Sequence, residues 1–177
     1  MYCFNKKIKN LRIDSVKSQF GFEQDVFFMK RALRQAQLAY AHNEVPVGAL
    51  VVDAQGAILG RGYNKTEKRS SQAFHAEMCA IAKAGKKLGD WRLNGCWVYV
   101  TLEPCAMCMH LIQLSRCAGV VFGAKSPLFG YQVVDKDSRF SVYKEDVVNV
   151  VAGVCEQESA ALLKCFFKDR RKKKEEL

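Results

Sequence analysis

Four side chains in this 177-residue chain have the types and spacing to do chemistry together: His75 and Glu77 in His75-Ala76-Glu77, and the two thiols of Pro104-Cys105-Ala106-Met107-Cys108. One imidazole and two thiolates match the ligand preference of zinc in a tetrahedral shell. A shell with three protein ligands leaves its fourth place to water, as catalytic sites do. Two thiolates cancel the charge of the dication, so a water activated there gains from a carboxylate that takes and returns protons. Glu77 is the candidate for that carboxylate.

The spacing sets geometric conditions. Cys105 and Cys108 are three apart, which on one helical turn puts both sulfurs on one face. Pro104 suits the first position of a helix, where no backbone N–H is needed, so the spacing predicts a helix opening at Pro104 with its N-terminus favouring thiolate. His75 and Glu77 are two apart and would diverge by about 200° inside a regular helix. They share a pocket only if His75 stands at the helix start. Cys79, four residues after His75, offers an alternative, a closed structural site of His75, Cys79, Cys105 and Cys108. Such sites belong mostly to small modules that need metal to fold, and Cys79 lies in the apolar run Met78-Cys79-Ala80-Ile81-Ala82, where a buried small hydrophobe is the simpler reading. His42 and His110 read as surface or core histidines.

The elements that must carry these residues follow from periodicity. Phe22, Val26, Met29, Leu33, Ala36 and Tyr40 recur at three to four residues and predict an amphipathic helix ending near Asn43. Residues 47–53 and 57–63 read as strands joined by the turn Ala54-Gln55-Gly56. A helix is expected from His75 to the Gly85–Gly89 region, then a strand over 97–101 feeding the Pro-Cys helix, strands over 120–123 and 147–151, and a last helix from near Glu156 into a basic tail. Periodicity alone supports mixed α/β, with the ligands at strand-to-helix junctions.

Hydrophobic residues make up 49% of the chain, which fits one compact domain and argues against disorder. Eight cysteines would suggest disulfides in a secreted protein, but Lys6, Lys7, Lys9, Arg12 and Lys17 interrupt the first twenty residues, so no secretory leader is read there. Reduced thiols in a cytoplasmic setting are expected, with Cys3, Cys96, Cys117, Cys155 and Cys165 as bland core or surface residues. No apolar run approaches a membrane span. The net charge of +10 is concentrated at the ends: five Lys or Arg against one acid in residues 1–20, and seven against three in residues 164–177. Basic ends on a near-neutral body suit a polyanion reaching beyond a pocket, or else a solvated helix end. Phe166 and Phe167 beside Lys168, Arg170 and Arg171 favour the former, since aromatics stack on bases while cations hold phosphates, with ordinary core as the alternative reading for one of the two phenylalanines.

H-x-E combined with P-C-x-x-C is the signature of zinc nucleobase deaminases. Over about residues 26–171 the chain resembles the bacterial tRNA adenosine deaminases, most sharply in Glu44-Val45-Pro46-Val47-Gly48-Ala49, Gly62-Tyr63-Asn64, His75-Ala76-Glu77, 99–105, Ser115-Arg116, 121–124 and Ala160-Ala161-Leu162-Leu163 leading to Phe166-Phe167. It departs from the family pattern in two loops. Ser71-Gln72-Ala73-Phe74 stands where members commonly carry Asp-Pro-Thr-Ala, and Lys125-Ser126-Pro127-Leu128-Phe129 follows Phe-Gly-Ala where a basic residue and Asp are common.

The resemblance implies a three-layer α/β/α cytidine-deaminase-like fold with a mixed five-stranded sheet, one zinc per chain and a homodimer. It also implies hydrolytic deamination of adenosine to inosine at the wobble position of a tRNA anticodon. Residues 1–20 are read as a basic extension and 21–177 as a single deaminase domain. Glu77 is expected as the proton shuttle, His75, Cys105 and Cys108 as ligands, and Asn64 as the residue orienting the nucleotide. Val45, Pro46, Leu102 and Glu103 are expected as pocket walls. Deamination of free guanine, cytidine or deoxycytidylate would use the same zinc set. A non-catalytic zinc protein that binds RNA would explain the basic ends but leave Glu77 without a purpose.

Overall fold

The apolar stripe that begins at Phe22 forms helix α1 (Phe22–Ala41), burying Phe28, Met29, Ala32, Ala36 and Ala39 at helical spacing. In the computed structural model, which describes residues 18–131 and 148–175, this helix is followed by strands β1 (Gly48–Val52) and β2 (Ile58–Tyr63) and by the short helix α2 (Thr66–Arg69). A single 3₁₀ turn (Gln72–Phe74) leads into α3 (Ala76–Leu88), β3 (Trp97–Leu102), α4 (Ala106–Leu114), β4 (Gly119–Ala124), β5 (Asn149–Ala152) and α5 (Glu156–Glu175). Most of the predicted basic extension over residues 1–20, including Cys3, lies outside the described residues.

The five strands form one sheet in the order β2-β1-β3-β4-β5. β1 pairs antiparallel with both β2 and β3, whereas β3, β4 and β5 run parallel, so the sheet is mixed. The β1–β2 hairpin closes where Asp53 Oδ1 accepts from the N–H groups of Gln55 (3.0 Å) and Ala57 (2.8 Å) and Gly56 takes φ +85°.

Strand alternation divides the core into two layers. Ala49, Val51, Val98, Val100, Val120 and Phe122 face α3 and α4, meeting Ala80, Ala84, Met109 and Ile112. Leu50, Val52, Trp97, Tyr99 and Val121 face the other way, toward Phe28, Met29 and Ala32 of α1. On that second side α5 lies beside α1, with Phe166 against Tyr40 at a ring separation of 5.6 Å. The result is the expected three layers.

Two strand glycines set how closely α3 lies on the sheet. A Cβ at Gly60 would stand 2.1 Å from the Ala80 carbonyl oxygen, and one at Gly62 would stand 2.1 Å from that of Ala76. The helix backbone therefore rests directly on β2, and its first turn lies over the end of that strand. A buried polar network anchors α1: Asp25 Oδ1 accepts from Ser18 Oγ (2.5 Å) and from the Tyr99 hydroxyl (2.7 Å), and the apolar surroundings and that bond push the Tyr99 phenol well above its ordinary range.

Candidate active site

The N-termini of α3 and α4 converge at one end of the sheet, beside the strand ends at Val47, Asn64 and Leu102. His75 is the N-cap of α3, with extended backbone (φ −61°, ψ 154°). That is the position at which an H-x-E pair can face one pocket. Cys105 is the N-cap of α4 (φ −72°, ψ 167°), and Cys108 lies three residues on, inside its first turn. The expectation that Pro104 would be the first helical residue is corrected: Pro104 precedes the cap, and its carbonyl accepts from the Tyr131 N–H at 2.9 Å. The shift places Cys105 at the cap itself, where unpaired backbone N–H groups favour an anionic sulfur.

His75 Nδ1 lies 3.7 Å from Cys105 Sγ and 3.5 Å from Cys108 Sγ, and the three ligand atoms lie within 4.8 Å of one another. Zinc bonds of about 2.3 Å to sulfur and about 2.0 Å to nitrogen at a tetrahedral angle put S and N roughly 3.6 Å apart. The triad fits a zinc ion with one place left over. Cys79 stays outside the cluster, its Cβ facing Gly62 of β2.

Glu77, the second residue of α3 and 3% exposed, lies beside the triad without joining it. Burial pushes its carboxyl above the usual range. The Cys105 thiol is pulled down to about 4, chiefly by the hydrogen bond it receives from Cys108, with His75 adding to the effect. Cys108 is held above its ordinary range by donating that bond and by burial. His75 is raised, first by its hydrogen bond with Cys105.

A cavity of about 640 Å³ opens above these groups, lined by Val45, Val47, Asn64, Thr66, Gln72, His75, Glu77, Leu102, Glu103 and Cys105, with Leu128 and Phe129 at its mouth. Of the four expected wall residues, Val45, Leu102 and Glu103 line this cavity, whereas Pro46 is buried away from it and Val47 lines it instead. Asn64 lines the cavity and also fixes α3, since its Oδ1 accepts the Ala76 N–H at 2.9 Å. Glu103 pins the loop after β4: its Oε2 accepts the Ser126 N–H at 2.9 Å, and Gly130 packs so closely that a Cβ there would meet the carboxylate at 2.4 Å. That loop presents Leu128 (73% exposed) and Phe129 (72%) at the rim.

Sequence reasoning gave no role to two further residues. Glu44, fully buried, accepts the N–H groups of Glu67 (3.0 Å) and Lys68 (2.8 Å) and so caps α2 from 23 residues away. Gln72 Oε1 lies 2.9 Å from His75 Nε2. At the other end of the chain the picture is mixed. Phe166 is 5% exposed and packs on Tyr40 as core, whereas Phe167 is 46% exposed and Lys168, Arg170 and Arg171 are exposed on α5. Arg170 lines a separate groove of about 280 Å³ with Tyr40, Asn43, Phe166, Asp169, Lys172 and Lys173, and the Tyr40 hydroxyl donates to Asp169.

Residues 22–124 match the cytidine and deoxycytidylate deaminase zinc-binding region. Over 155 residues the chain is 43% identical to a tRNA-specific adenosine deaminase of Bacillus subtilis, covering 85% of this chain and 93% of that one. The chain belongs to the tRNA-specific adenosine deaminase family. A solved structure from a study of A-to-I editing by tRNA:A34 deaminases at the wobble position of transfer RNA superposes with a TM-score of 0.69 at 36% identity, covering 77% of this chain and 98% of that one. A guanine deaminase from Bacillus subtilis is more distant, with a TM-score of 0.56 at 32% identity, covering 66% of this chain and 80% of the other. Zinc is the cofactor of the matched region, and membership of the adenosine deaminase family makes the chain a hydrolytic deaminase.

Proposed function

We propose that the protein deaminates adenosine to inosine at the wobble position of a tRNA anticodon, with His75, Cys105 and Cys108 holding zinc and Glu77 moving the protons. The observation that carries this reading is the open His/Cys/Cys triad with the buried Glu77 carboxyl beside it at the base of one cavity. Zinc held there supplies Lewis-acid chemistry that acidifies water near neutral pH. Glu77 takes a proton from the attacking water and returns protons to the adenine ring nitrogen and the departing amine. The C6–O bond forms, the C6–N bond breaks and ammonia leaves. With its oxygen committed to Ala76, Asn64 offers its amide N–H groups to the flipped nucleotide, and Val45, Val47 and Leu102 exclude water around the base.

Leu128 and Phe129 offer apolar surface to the bases that flank the target. Phe167, Lys168, Arg170 and Arg171 serve the backbone of the anticodon arm. The α5 groove supports this role, because its residue Asn43 is two positions from Val45 of the cavity. A homodimer is supported by an apolar groove between α3 and α4, lined by Met78, Ile81, Trp91, Leu111 and Leu114. A cytoplasmic setting is supported by the free thiols of the seven described cysteines. No helix among the described residues is long and apolar enough to cross a membrane.

The test offers purified protein a tRNA, an anticodon stem-loop and free adenosine, guanine and cytidine, with inosine and ammonia measured. Inosine in the stem-loop is the expected product. Deamination of guanine or cytidine with none of the stem-loop would overturn the substrate assignment.

A further inference from the structure

Gln72 lies in one of the two loops where the chain departs from its family pattern, and it touches the metal triad from behind. Its Oε1 is 2.9 Å from His75 Nε2, on the side of the imidazole away from the sulfurs, which face Nδ1 at 3.5 and 3.7 Å. A neutral imidazole has one N–H and one lone pair. Only when the proton sits on Nε2 does Nδ1 keep a lone pair for a metal, and an amide oxygen accepts that proton while an amide nitrogen would not.

The segment bearing Gln72 is itself held. The Glu44 carboxylate caps α2 through the N–H groups of Glu67 and Lys68. The Ser71 N–H donates to the Thr66 carbonyl at 3.1 Å, and the Lys65 N–H donates to the Phe74 carbonyl at 3.0 Å. Ser71 Oγ accepts from the Ala73 N–H at 3.2 Å, closing the turn on which Gln72 sits. The arrangement starts at a buried carboxylate and ends at the ring nitrogen of a zinc ligand.

We infer that Gln72 is a positioning residue that fixes the tautomer and ring orientation of His75, so that the loop from Lys65 to Phe74 tunes zinc affinity through one hydrogen bond. The inference rests on the assignment of His75 as a ligand. Partners of this kind typically alter metal affinity by about 10–100-fold when removed.

The experiment measures zinc affinity of the full chain by competition against a chromogenic chelator, for the parent and for Gln72→Ala, Gln72→Glu and His75→Ala, with kcat and KM on an anticodon stem-loop at saturating zinc. Gln72→Ala should weaken zinc by about 10–100-fold. Gln72→Glu, which keeps an acceptor at the same reach, should restore most of the affinity. Equal melting temperatures of the metal-free parent and Gln72→Ala establish that the fold is intact, as expected for an exposed side chain. Unchanged zinc affinity in Gln72→Ala, with a raised KM, would overturn the inference and make Gln72 a substrate contact. Unchanged affinity in His75→Ala would instead remove the ligand assignment beneath it.

Discussion

Gly62→Ala tests whether the sheet sets the position of the site. The added Cβ would meet the Ala76 carbonyl oxygen at 2.1 Å and the Ala80 nitrogen at 2.7 Å, both backbone atoms of α3 that no rotamer change can move. Non-bonded contact needs more than about 3 Å, so the helix start would have to retreat by about 1 Å. Overpacking of this kind costs about 1–3 kcal/mol. In a domain of this size that lowers the melting temperature by roughly 2–12 °C. The functional loss should be larger, because Ala76 lies between His75 and Glu77, and misplacement by about 1 Å can cost on the order of 100-fold in rate. The assay pairs a thermal melt with zinc stoichiometry and stem-loop deamination. A variant with parental melting temperature, zinc content and rate would refute the claim that the strand glycines hold α3 in register with α4.

Other perturbations separate support from chemistry. Tyr99→Phe removes the hydroxyl that donates to Asp25 in the buried network; urea unfolding should show a loss of about 1–3 kcal/mol, with kcat unchanged because the network lies on the opposite face of the sheet. Glu44→Gln leaves the N–H groups of Glu67 and Lys68 without their carboxylate. It should cost about 0.5–2 kcal/mol, as lost helix caps do, and should raise KM through the loosened pocket wall; parental stability and KM together would contradict that role. Ending the chain before Lys168 leaves Phe166 on Tyr40 but removes the exposed cations of α5 from Lys168 onward. RNA affinity should fall and its salt dependence should flatten, while an unchanged salt slope would show that the basic end is only solvated.

The sequence was most readable where local chemistry and global packing agree. β1, β3 and β4 alternate between the two core layers and are bounded by turns, so their predicted limits fall within a residue of those observed. The His75–Glu77 pair was legible because only a cap position reconciles two-residue spacing with a shared pocket, and His75 is that cap. Pro104 misled because proline favours the first helical position, whereas the chain caps the helix one residue later, at Cys105. α2 was not legible: four polar residues carry no periodicity, and the carboxylate that nucleates the turn is Glu44, far back in the chain. Phe166 and Phe167 cannot be told apart by type; the angle of α5 against Tyr40 buries the first and exposes the second. Pro46 was misassigned because which of three consecutive apolar residues faces the cavity depends on the exact path into β1.

The central claim is that Glu77 moves protons and does not hold metal. The most direct measurement is zinc content and inosine formation on the same preparation of Glu77→Gln. The account predicts about one zinc per chain, as in the parent, with deamination reduced by at least about 100- to 10,000-fold. Loss of zinc, or turnover close to the parental rate, would contradict it.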